Sequence, residues 1–82
     1  MSPEQLLADV KAERAKPQAD RRSGAIDAQL DLVIAALERA IADGDAAVAG
    51  EVPEINRIVV DGWNWRDPLA ERVLAWTDRV RG

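Results

Sequence analysis

The sequence contains no cysteine and no histidine. The first absence excludes a disulfide staple, and the two together exclude thiolate and imidazole metal sites. Phenylalanine and tyrosine are also missing, so three tryptophans carry all the aromatic area. Hydroxyl nucleophiles are limited to Ser2, Ser23 and Thr77, with no histidine to activate them. The lysines are Lys11 and Lys16, both on the polar half of a candidate first helix. Gly24, Gly44, Gly50, Gly62 and Gly82 are scattered and form no phosphate-cradling loop. No apolar run approaches the roughly 20 residues that span a bilayer. The opening Met1-Ser2-Pro3-Glu4 is not a basic segment followed by an apolar one, so a cytoplasmic protein is expected, with no membrane partner. No solenoid-length repeat or low-complexity tract is visible.

What is present is a globular composition: 82 residues, 48% hydrophobic and 32% charged. One domain over residues 1–82 is expected. A chain of this size buries only roughly 60–65% of its unfolded surface, leaving a small stability surplus. Without disulfide or metal, its support is its own core, a partner protein or a second copy of itself.

The apolar periodicity is helical throughout. Ser2 as N-cap, Pro3 at N1 and Gln5 at N3 predict a helix over residues 3–16, with Leu6, Leu7 and Val10 as a short stripe and Pro17 as its stop. Residues 17–24 read as a polar connector, which makes this first helix the least securely docked element. Ile26, Leu30, Val33, Ile34, Leu37 and Ile41 recur at steps of three and four, predicting a central helix over 24–43 that ends at Gly44. A third helical stretch is expected over 46–61, interrupted near Gly50 and Pro53. A short strand at Ile58-Val59-Val60 is the rival reading, disfavoured because it has no partner strand. Asp67 as N-cap and Pro68 at N1 open a last helix over 67–81, with Leu69, Val73, Trp76 and Val80 on one stripe. The expected fold is all-α, a small antiparallel three- to four-helix bundle.

The net charge of −4 is uneven. Residues 1–23 and 63–82 are each slightly basic, whereas 24–62 hold two bases against eight acids. Such a centre opposes phosphate binding and favours a basic partner surface. Asp27, Asp31 and Glu38 line one edge of the central helix and are candidate partner-binding residues; a solvated acidic face is the plainer reading. Arg21-Arg22 is too slight a basic signal for a nucleic-acid surface, and no basic recognition helix accompanies it.

Trp63-Asn64-Trp65-Arg66 is the sharpest feature. In an extended linker both indoles would point to one side. A bundle this small scarcely hides three indoles, so one of Trp63 and Trp65 is expected to plug the bundle end beside Leu69 and the other to stay exposed next to Arg66. Tryptophan and arginine are the residue types most enriched at binding hot spots. Trp63, Trp65 and Arg66 are therefore candidate partner-binding residues, against the reading that both indoles cap a small core.

In size, acidity and helix count the chain resembles the acyl carrier proteins. Those need a serine in an Asp-Ser-Leu context at a helix start, and neither Ser2 nor Ser23 has it, so that function is excluded. In charge and length it is also similar to bacteriocin immunity proteins, acidic helical bundles that bind a basic toxin; the resemblance carries over no residues. The expectation is a non-enzymatic protein–protein interaction module without catalytic residues, metal or cofactor. The alternatives are a homo-oligomeric structural protein and a non-catalytic accessory subunit of an enzyme.

Overall fold

The computed structural model describes residues 2–82; Met1, the first residue of the expected domain, lies outside them. Four helices fold up, down, up and down: α1 (Pro3–Ala15), α2 (Asp27–Asp43), α3 (Val52–Gly62) and α4 (Pro68–Arg81). Single 3₁₀ turns at Gln18–Asp20 and Asp45–Val48 sit in the two longer links. Among the described residues there is no strand, so Ile58-Val59-Val60 is helical.

The helix starts follow from side-chain chemistry. Ser2 Oγ accepts the Gln5 N–H at 3.1 Å, and an Asp67 carboxylate oxygen accepts the Leu69 N–H at 3.1 Å. α2 starts at Asp27, three residues later than expected. Its N-cap is Ile26, which has no acceptor, and Gln29 reaches back to take the Ile26 N–H at 3.4 Å. α2 ends where Gly44 adopts φ +94°, a conformation that only glycine reaches without strain.

Each helix runs antiparallel to its neighbours in a closed ring. Asn56–Thr77 and Arg39–Glu51 tie α3 to α4 and α2 to the start of α3, while Lys11–Glu38 and Arg72–Asp9 tie α1 to α2 and α4. The core gathers Leu6 and Val10 of α1, Leu30, Val33 and Leu37 of α2, Ile55 and Val59 of α3, and Val73 and Trp76 of α4. On α2 burial swings toward Ala36 and Ala40, whose small side chains let neighbouring helices approach closely. Ile26 and Ile41, at the ends of the expected stripe, are exposed. The radius of gyration, 11.5 Å, is what close packing of a chain this long gives, about 12 Å.

α1 is firmly docked, contrary to the expectation from its long polar connector. The reason is a buried polar latch. Glu13 falls on the same helical face as Leu6 and Val10 and is buried with them. Its carboxylate accepts the Ser23 hydroxyl at 2.6 Å and the Ser23 N–H at 3.2 Å. Arg21 donates to the carbonyls of Glu13, Arg14 and Ala25 and pairs with Asp27 at 2.6 Å. The connector is thereby sewn to the end of α1 and the start of α2.

Candidate functional site

The two linker indoles face opposite ways. Trp63 is buried, its Nε1 donating to Gln29 Oε1 at 3.0 Å, so that one amide oxygen holds both this indole and the Ile26 N–H. Trp65 is 64% exposed, and its Nε1 donates to the Val60 carbonyl at 2.8 Å. The strand-like geometry that would put both on one side is absent because the link is a turn: the Asp67 N–H bonds the Asn64 carbonyl at 3.0 Å, and Asn64 Oδ1 accepts the Arg66 N–H at 3.1 Å.

This turn is cross-linked to the start of α2. The Asn64 N–H bonds the Ser23 carbonyl at 2.7 Å, and its side-chain amide bonds the Arg22 carbonyl at 3.2 Å. The end of the bundle that carries Trp65 therefore also carries exposed Ile26, Arg22 and Arg66. Asn64 thus ties the turn by two hydrogen bonds to one segment distant in sequence, Arg22-Ser23, and a third bond holds the Trp65 ring to α3. An exposed indole fixed in this way has little conformational freedom left to lose on binding.

The acidic edge of α2 is engaged within the chain. Asp31 pairs with Arg14 Nε at 2.8 Å, Asp27 with Arg14 and Arg21, and Glu38 with Lys11 at 3.4 Å. Lys11 and Arg14 of α1 thus lie along this edge. The Arg21 guanidinium, with help from Arg14, holds the Asp27 carboxyl below its ordinary range; the hydrogen bond to Asp31 raises Arg14. Asp27, Asp31 and Glu38 share a seam with α1 that starts beside Ile26, at the bundle end carrying Trp65, and runs away from it along α2.

The hydroxyls are equally committed. Ser2 caps α1, Ser23 is fully buried against Glu13, and Thr77 is fully buried, donating to the Leu74 carbonyl at 2.8 Å and accepting from Asn56 at 2.9 Å. Among the described residues no three acidic side chains converge as a cation site, and no helix is long and apolar enough to cross a membrane. Sequence reasoning missed the Glu13–Ser23–Arg21 latch. Its one sequence signal was an acid, Glu13, in phase with Leu6 and Val10; that alternate connector residues Arg21, Ser23 and Ala25 are buried is seen only in the structure. No protein-family model, curated protein or solved structure matches this chain.

Proposed function

We propose that this chain is a non-catalytic protein-binding module that docks through the end of the bundle formed by the α3–α4 turn. Trp65 is the anchor, Arg66 and Arg22 its polar rim and Ile26 its apolar flank. The observation that carries this reading is the contrast between two tryptophans two residues apart: one completes the core, whereas the other is held on the surface by a hydrogen bond. A large indole left in water contributes little to folding but much to binding once a partner socket covers it. The complete engagement of Ser2, Ser23 and Thr77 supports a role without covalent chemistry. The cationic rim of Arg22 and Arg66 favours a partner with acidic residues around its apolar socket, whereas the basic surface expected from the net charge of −4 would be repelled there.

The test uses the immobilised full chain beside its Trp65→Ala variant, each checked for an unchanged melting temperature, to capture partners from extracts of the native cell. The expected result is a protein retained by the wild type and lost from the variant, with affinity reduced about 30-fold in a purified pair. Captured proteins that all bind the variant equally well would remove Trp65 from the interface and the proposal with it. Self-association is the second reading, favoured by the exposure of Ile26 and Ile41 at the two ends of α2. Light scattering that shows a concentration-dependent dimer, abolished by Trp65→Ala, would assign the socket to a second copy.

A further inference from the structure

A cavity lies between the amino end of α1 and the later turns of α4. Leu6 and Trp76, both buried, form its inner wall, with Pro3 and Ala75 beside them; Arg72 and Arg79 are the charged residues that line it. Its volume is about 210 Å³. A dry cavity of about 150 Å³ accommodates benzene, whereas sites for drug-sized ligands start near 300 Å³, so the space fits a small molecule of a few carbons. Two further observations bear on what that molecule is. Both charged lining residues are cationic, in a protein whose net charge is −4. Arg72 is ion-paired to Asp9, Arg79 has no ion pair among the described residues, and the positive end of the α1 dipole adds to the field. The second observation is Trp76 Nε1, the buried side-chain donor that has no hydrogen-bond partner among the described residues. Buried donors are nearly always satisfied, and this one belongs to a residue whose ring lines the cavity, although the N–H itself presents almost no surface to it.

We propose that the α1–α4 cavity binds a small carboxylic acid anion with a short apolar tail. The tail packs against Leu6, Ala75 and the Trp76 ring, and the carboxylate meets Arg79 at the mouth. The Arg79 guanidinium matches the carboxylate's charge at the mouth, and the apolar wall matches its tail. An ammonium would face two guanidiniums, and an inorganic anion would leave the apolar wall uncovered. This site is independent of the Trp65 end.

Hexanoate is the probe, titrated into the full chain while the indole N–H resonances are followed by NMR. The expected result is a saturable shift of the Trp76 signal with a Kd of about 1 mM, the affinity a ligand of this size reaches. Arg79→Gln, at an exposed position, should weaken binding at least about fivefold by removing the charge-assisted contact. Ala75→Leu, also at an exposed position, fills the cavity and should abolish the shift. Hexylammonium, with the same tail and opposite charge, should leave the resonance unmoved. The proposal is overturned if hexanoate gives no saturable shift up to about 10 mM, ten times the expected Kd. It is overturned equally if hexylammonium binds as well, or if a folded Ala75→Leu protein binds hexanoate undiminished. Should Ala75→Leu fail to fold, the Arg79→Gln and hexylammonium comparisons decide alone.

Discussion

Two tryptophans in one four-residue segment meet opposite fates, and their substitution should show it. Trp63 fills the core and satisfies its N–H on Gln29, so Trp63→Ala leaves a cavity and an amide oxygen with fewer partners. The expected loss is about 3–5 kcal/mol, a large share of the stability of a domain this small. Trp65→Ala removes an exposed ring and one hydrogen bond, and its cost should stay under about 1 kcal/mol. Urea unfolding with unchanged slope distinguishes them; equal losses would mean that Trp65 is a packing residue and would withdraw it as an anchor. The sequence raises the expectation that one indole stays outside, because a bundle this small scarcely hides three, against the reading that both cap a core lacking Phe and Tyr. It does not show which, since that depends on Asn64 turning the chain by bonding to Ser23 and Arg22, contacts roughly forty residues away that no local pattern encodes.

At the level of the elements, what was legible was local. Ser2, Asp67, Pro3 and Pro68 mark helix starts through bonds made within a few residues, and the structure places starts there. The docking of α1 was not legible in the same way, because polar residues in a connector look like solvated ones until a buried acid is found opposite them. Arg21 illustrates the difference. Its side chain is almost wholly buried and satisfies three backbone carbonyls, so Arg21→Ala should cost about 3 kcal/mol by leaving those acceptors unpaired. Lysine cannot reproduce the planar fork, and Arg21→Lys should restore less than half of that loss in urea titrations. The neighbouring seam of exposed ion pairs behaves oppositely. A double-mutant cycle on Arg14 and Asp31 should give a weak coupling, diminished further in high salt, because both side chains remain well hydrated. Charge on the surface of α2 therefore aligns α1, and the latch behind it supplies the stability.

For the whole molecule, the latch makes stability depend on pH. Burial alone would raise the Glu13 pKa, but the Ser23 hydroxyl and N–H, with Lys16 alongside, more than offset it and leave the carboxyl below the ordinary glutamate value of about 4.5. The folded protein then binds protons less readily at Glu13 than the unfolded chain does. That contribution is fully present above the unfolded value, declines once the pH falls through about 4.5, and is gone below the folded value. Asp9, held low chiefly by its hydrogen bond to Arg72, and Asp27, held low chiefly by Arg21, act in the same direction. Glu13→Gln keeps the shape and an acceptor but loses the charge. It should be less stable than the wild type by about 1–2 kcal/mol at pH 7, with the gap closing as the pH falls from 5 toward 3. Urea midpoints across that range measure both curves. A gap of constant size would show that the latch acts through hydrogen-bond geometry, with no part for the carboxylate charge. A closing gap would make this carboxylate, which fastens the first helix to the other three, a main site of acid unfolding, with α1 the first element to leave the ring.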